Sequence, residues 1–378
     1  MTSSNNATPK SPRKVFLILT PILSIIFTLV AIELLLAIFH PTPYSIERNM
    51  FFEPDPYTGY RLKPDSVGYF QQGIPAVVND MGHRDDEVTL EKPEGVYRIL
   101  MLGDSFTVGA NVLQEQAYPQ VLETLLDDRS DRDIQVVNTG VGGWEPFMYA
   151  QYYEHYGQDF DPDLVLIGFF AGNDAYNQLT RVEQLPTTVL GRRVSRDSAT
   201  KPLTKLLVYL HEHSHLTRLL MQKGPHALTF TRDDCADFSE EYVAVQQARM
   251  PSHLQRSAKQ ESLAANSIQQ IQRIQQSASE AGIPVVVVLL PDENQINPDL
   301  QDVLLAEDER SHYDFGMPQS LLSELFADEG IPTIDLLPVF LDDSRCLYMN
   351  DTHWIPEGHH LAAETIADQL APFLEQAE

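Results

Sequence analysis

Four short polar clusters hold side chains that could act together. Gly103-Asp104-Ser105 offers a hydroxyl, and Gly140-Val141-Gly142-Gly143 offers backbone N–H groups with no side chain in the way. Gly172-Asn173-Asp174 offers a side-chain amide, and Asn350-Asp351-Thr352-His353-Trp354 an imidazole with a carboxylate two residues before it. Opening an ester by nucleophilic attack needs a nucleophile, a base to take its proton, and donors for the oxyanion. On that reading Ser105 is the nucleophile, His353 the base, and Asp351 the acid that orients the imidazole or stabilises its charged form. The oxyanion donors are the backbone N–H groups of Ser105 and Gly143 and the Asn173 amide. This chemistry calls for no cofactor and no metal. Taken singly, each cluster reads as a turn, and Asp351 as a helix-entry residue. Trp144 and Trp354 each adjoin one of these residues and read equally as walls of an acyl or sugar pocket or as core packing.

A second constellation competes. His211-Glu212-His213-Ser214-His215 satisfies H-E-x-x-H, the zinc-protease pattern, with Glu240 or Glu241 as a third ligand. The surrounding residues read as one amphipathic helix whose packing face is Leu207, Leu210, Leu216, Leu219 and Leu220, which leaves the histidines on a solvated face. The metalloprotease is therefore the lesser alternative. Another is a non-catalytic, membrane-anchored protein that binds or assembles polysaccharide, because fold alone does not carry function.

The elements that must position the first set follow from hydrophobic pattern. Continuous apolar runs at 97–102, 134–137, 164–170, 284–290 and 331–336 read as strands buried on both faces, as in a parallel sheet with helices on each side. Three of the polar clusters begin where such a run ends, which is where sites form in parallel α/β sheets. Helices are expected after Ser105 through Leu126, over 147–156, over 258–281 with Gly282 as its C-terminal cap, and from Pro356 to Glu375. Residues 40–95 read as an irregular or short-stranded lead-in to a domain spanning 96–378, and 178–257 as an insertion in it.

The N-terminus carries an address. Residues 1–14 are polar and hold Lys10, Arg13 and Lys14, and the largely apolar stretch 15–39 carries one formal charge, Glu33. As a helix that stretch runs about 37 Å, enough to cross a bilayer. With no small-residue cleavage site after it, a retained anchor is expected in preference to a cleaved signal peptide. The basic flank places the N-terminus in the cytoplasm and the rest of the chain outside it, periplasmic or otherwise extracytoplasmic. Glu33 either reaches the interface or pairs with a polar group of a membrane partner.

Composition limits the rest. With 26 Lys+Arg against 54 Asp+Glu the net charge is −28, which repels phosphate backbones and argues against nucleic-acid binding. Two cysteines, Cys235 and Cys346, exclude a disulfide scaffold or a cysteine zinc cluster and leave open a single bridge.

These motifs together resemble the SGNH (GDSL-like) hydrolase superfamily. LGDSFTVGANV resembles its first block, VVNTGVGGWEP its second, FFAGNDAYN its third and MNDTHWIPEGHH its last. The resemblance implies a flavodoxin-like three-layer α/β/α fold, nucleophile Ser105, oxyanion residues Gly143 and Asn173, and the pair Asp351 and His353. The usual last block has two residues between Asp and His, whereas Thr352 stands alone here. That spacing is similar to a membrane-linked subgroup that includes alginate O-acetyltransferases and teichoic-acid alanylation proteins. The subgroup implies acyl transfer on envelope or exported carbohydrate, with the membrane and a membrane acyl-transfer protein as partners. Hydrolysis and transfer share an acyl-serine intermediate, so both remain open.

Overall fold

The structure, a computed structural model, describes residues 12–39, 52–70, 74–176, 179–189, 192–221 and 235–375. It divides into two compact units: Met1–Ser45 with Pro202–His226, and Ile46–Lys201 with Ala227–Glu378.

In the first unit, a helix covers Pro12–Phe39, and its segment Leu19–Phe39 is long and apolar enough to cross a membrane. Residues 1–11, the linker 40–51, and the side chains of Arg13 and Lys14 lie outside the described residues. The single helix expected around 203–221 is instead two, Pro202–His213 and His215–Met221, separated at Ser214. Glu33 explains the break. Its carboxylate accepts from Ser214 Oγ at 2.8 Å, from the Leu216 N–H at 3.0 Å and from the His215 N–H. The first N–H groups of a helix lack internal partners and favour negative charge, so Glu33 caps the second helix. Its partners belong to this chain, a pairing that neither expected reading of Glu33 included. His211 and His215 consequently stand on different helices, and the His211 and Glu212 side chains lie outside those described.

The second unit opens with two antiparallel hairpins, β1 (Phe52–Asp55) with β2 (Gly59–Leu62) and β3 (Ser66–Tyr69) with β4 (Pro75–Val78). The main strands are β5 (Val96–Leu102), β6 (Asp133–Asn138) and β7 (Leu164–Phe170). A small hairpin of β8 (Thr187–Val189) and β9 (Arg192–Val194) follows within 178–257. β10 (Val285–Leu290) and β11 (Thr333–Asp335) complete a five-stranded parallel sheet of order β11-β10-β7-β5-β6.

Alternate strand residues feed two cores, because successive side chains leave opposite faces. Leu100, Val165, Ile167, Val287 and Leu289 join one core with the helices Pro146–His155, Ala258–Glu280 and Met317–Asp328. Ile99, Met101, Leu166, Val286 and Val288 join the other with Tyr118–Arg129 and Pro356–Glu375. This is the three-layer α/β/α fold with flavodoxin-like strand order. The chain winds outward in both directions from β5, so the crevice for a ligand lies at the β5/β7 switch point. Gly282, at φ +75°, ends its helix as expected, with the Ile283 N–H reaching back to the Ala278 carbonyl at 3.0 Å. The helix after Ser105 starts later than expected, at Tyr118, because Gly109 and Asn111 adopt positive φ. Cys235 and Cys346 form a disulfide with Cα atoms 5.3 Å apart.

Candidate active site

Ser105 follows β5 in a turn that only glycine at 103 permits. A Cβ on Gly103 would lie 1.9 Å from Thr107 Oγ1. The turn is closed by the Val108 N–H to the Asp104 carbonyl at 3.0 Å and the Ala110 N–H to the Ser105 carbonyl at 2.9 Å. Buried Asp104 accepts the Phe106 N–H at 2.9 Å. Burial raises its carboxyl above the usual range, against the pull of that N–H, the His353 charge and a hydrogen bond from the Asn173 side chain. Ser105 itself is half-buried, and among the described residues neither its hydroxyl nor its N–H has a hydrogen-bond partner.

The segment after β6 is stitched to this turn. The Val141 N–H donates to the Gly103 carbonyl at 3.1 Å, and Thr139 donates to Met101 through both its N–H and hydroxyl. Asn138 Nδ2 reaches the Thr107 carbonyl at 2.9 Å. A Cβ on Gly140 would fall 2.5 Å from the Val108 nitrogen, so the two backbones touch there. Gly143 has φ +74°, and its N–H donates to no acceptor among the described residues.

After β7, Gly172 leaves room for the Phe170 ring and Asp292, Asn173 is exposed, and Asp174 is wholly buried. Asp174 Oδ2 accepts the Phe170 N–H and the Tyr149 hydroxyl, each at 3.0 Å. Burial, then the neighbouring Asp104 charge, raise its carboxyl well above the ordinary range. Asp174 thus shapes the turn that presents Asn173.

The fourth cluster brings Asp351 and His353 into contact. Asp351 Oδ2 meets His353 Nδ1 at 3.1 Å, and Oδ1 accepts the His353 N–H at 3.1 Å. Asn111 Nδ2 also donates to Asp351 Oδ2. The pair is closed by Thr352, whose φ of +92° is unusual for a β-branched residue, and whose Oγ1 accepts from Arg249 Nη1 at 3.1 Å. Arg249 also pairs with buried Asp292 at 3.4 Å. Burial works to lower the His353 pKa, but the Asp351 charge, its hydrogen bond and the Asp104 charge outweigh it, and the net shift is upward. The imidazole packs 5.4 Å, centroid to centroid, from Phe106, the residue after Ser105. Nearby His359 is pushed down to about 3 by burial and accepts the Tyr118 N–H, so it is a neutral packing residue.

The structure thus gathers Ser105, Asn173, Asp351 and His353 around Asp104 and Phe106, with Gly143 on the segment sewn to the same turn. It corrects the pocket reading of the two tryptophans. Trp144 and Trp354 are both 0% exposed and fill the two cores, Trp144 against Tyr152 and Trp354 against Phe106. Pattern reading missed Asn111 and Arg249. Asn111 lies within the first block, but Arg249 lies in the insertion with no motif around it. Among the described residues, no group of three or more His, Cys, Asp or Glu is arranged to hold a metal.

Residues 250–378 match the family described as SGNH hydrolase-like domain, acetyltransferase AlgX. That match covers Asp351 and His353 and bears out the superfamily resemblance. No curated protein matches the sequence. Solved structures similar to this chain include a putative lipolytic protein of the G-D-S-L family from Desulfitobacterium hafniense DCB-2. It shows 14% identity, TM-score 0.35, and coverage of 72% of this chain and 98% of that one. TesA gives 14% identity, TM-score 0.40, and 73% and 99% coverage. The acetyl xylan esterase AlAXEase gives 14%, 0.38, and 72% and 99%. The C-terminal third of the chain, which holds Asp351 and His353, is thus similar to the SGNH hydrolase-like domain of that acetyltransferase family.

Proposed function

We propose that this protein is a serine-dependent ester hydrolase or O-acyltransferase that works outside the cytoplasm on acylated envelope or exported carbohydrate. The Asp351–His353 hydrogen bond, set against the turn that carries Ser105, is the observation that carries the reading. His353 Nε2 takes the Ser105 proton as Oγ attacks the acyl carbon, and the imidazolium is stabilised by Asp351. The N–H groups of Ser105 and Gly143 and the Asn173 amide receive the oxyanion. Collapse expels the alcohol, which takes the proton from His353, and leaves an acyl-Ser105. Water then completes hydrolysis, or a sugar hydroxyl completes transfer. A transferase would draw its acyl group from a membrane partner. The Leu19–Phe39 helix is the anchor, the basic Lys10, Arg13 and Lys14 keep the N-terminus cytoplasmic, and the Cys235–Cys346 bridge suits an oxidising compartment.

The test is turnover of p-nitrophenyl acetate, with and without a carbohydrate acceptor, by the full chain in detergent. Ser105→Ala should lose at least about 10³-fold in kcat, since members of one catalytic unit fail together. Chelator-sensitive turnover that survives Ser105→Ala would instead favour the His211-Glu212-His215 metalloprotease.

A further inference from the structure

The peptide between Gly142 and Gly143 is held by a side chain that none of the four motifs contains. Val141 to Trp144 form a tight turn, closed by the Trp144 N–H to the Val141 carbonyl at 3.0 Å. Gly143 at φ +74° gives it the type II pattern. Types I and II differ in the orientation of the central peptide, and glycine at both central positions removes most of the steric preference between them. That central peptide carries the N–H expected to receive the oxyanion. In a trans peptide the C=O and N–H lie in one plane and point in opposite directions within it, so whatever fixes the Gly142 oxygen aims the Gly143 N–H.

Tyr60 fixes it. Its hydroxyl, at the end of a wholly buried ring, donates to the Gly142 carbonyl at 3.1 Å. Arg193 Nη1 donates to the same hydroxyl oxygen at 3.1 Å. A guanidinium has no acceptor, so the tyrosine oxygen accepts from Arg193 and its own proton is left for Gly142. Burial, against the Arg193 charge, pushes the phenol up to about 12, so it remains a donor across the working pH range. Tyr60 clasps the turn a second time, through its carbonyl, which accepts Trp144 Nε1–H at 3.0 Å. The space above Gly143 is filled as well, since a Cβ there would lie 1.8 Å from Arg193 Nη1.

We infer that Tyr60, backed by Arg193, is a positioning residue that locks the Gly143 N–H in its oxyanion-binding orientation. The inference rests on the esterase or acyltransferase reading. It makes the β1–β2 and β8–β9 hairpins part of the catalytic apparatus, although neither carries a reacting group.

The experiment compares wild type, Ser105→Ala, Tyr60→Phe and Arg193→Met as full chains in detergent. It reads p-nitrophenyl acetate kinetics, the affinity of a boronic acid that forms a tetrahedral adduct on serine, and melting temperature. Tyr60→Phe should lower kcat roughly tenfold, below the 10²–10³ typical of deleting a donor outright, with KM within about twofold of wild type. Boronate affinity should weaken in step with kcat. Arg193→Met, a change at an exposed residue, should show the same pattern at about threefold. A merely structural Tyr60 would lower the melting temperature without separating kcat from KM or weakening the boronate. An active wild type, a dead Ser105→Ala and a Tyr60→Phe with wild-type kcat and boronate affinity overturn the inference alone. An inactive wild type, or an active Ser105→Ala, overturns the enzymatic reading and the inference with it.

Discussion

The two halves of the candidate site are built in different ways. On the nucleophile side, two loop segments are joined by backbone-to-backbone bonds, Val141 to Gly103 and Thr139 to Met101, and by glycines where chains touch. On the acid–base side, Asp351 and His353 depend on side chains from distant segments: Asn111, and Arg249 tied to Asp292. Backbone seams hold position through covalent geometry and tolerate few substitutions. Side-chain struts hold orientation and charge, and their removal leaves the chain folded. Outside Ser105 and the groups that aim the oxyanion donors, the glycine seams of the first half should therefore respond to mutation in stability, and the second half in rate and pH dependence.

The sharpest test of that difference is Asp351→Asn. The change keeps shape but removes the charge opposite the imidazole, and the loss in kcat should be large, up to about 10⁴-fold as for the equivalent change in a serine protease. The pH profile gives a second readout. The base must be neutral, so kcat/KM rises as pH passes upward through the His353 pKa, and the wild-type limb should lie above the ordinary value of about 6.5. Without Asp351 the burial that lowers this pKa is less opposed, and the limb should move to lower pH. Melting temperature should change little. A large melting shift with an unmoved limb would break the distinction between the two halves.

Gly140→Ala probes the other side. The added Cβ meets backbone, 2.5 Å from the Val108 nitrogen and 2.8 Å from the Thr107 carbonyl carbon, so no flexible side-chain end can yield. Overpacking of this kind costs about 1–3 kcal/mol, which thermal or urea unfolding would register. The pH limb should stay where it is in wild type, because His353 is untouched. An unchanged melting temperature would show that the seam is softer than the contacts imply.

The same contrast explains what could be read from sequence. Glycines at 103, 140 and 172 are demanded by local crowding, and the Val/Ile/Leu runs before them by burial on two faces, so strands and nucleophile loop are visible as pattern. The helix after Ser105 starts later than the apolar pattern predicts, and the mark of it is Gly109 and Asn111, residue types that tolerate the positive φ they adopt. Arg249, Tyr60 and Arg193 act through tertiary contacts from the insertion and lead-in, and nothing in their neighbours marks them. The tryptophans mislead for the converse reason. They are adjacent in sequence to Gly143 and His353, but both indoles turn inward to fill the cores.

Asn350→Ala should have the smallest effect, and it tests whether Asp351 rather than its neighbour is the third member. Asn350 Nδ2 donates to the Asp237 carbonyl at 3.1 Å, two residues beyond the Cys235–Cys346 bridge. The loop around it is also held by Arg249 on Thr352, Asn111 on Asp351 and the Met349 N–H on the His353 carbonyl at 2.8 Å. Losing one exposed hydrogen bond among these costs about 1 kcal/mol of stability, and an amide carries no charge to stabilise imidazolium. We expect kcat within about threefold of wild type and a pH limb that does not move. The pairing with Asp351→Asn gives the result its force. If Asn350→Ala cripples turnover while Asp351→Asn stays near wild type, with both folded by thermal melt, then Asp351 is not the orienting acid. His353 would then be held chiefly by the backbone of this loop, and the acid–base half would be built like the nucleophile half after all.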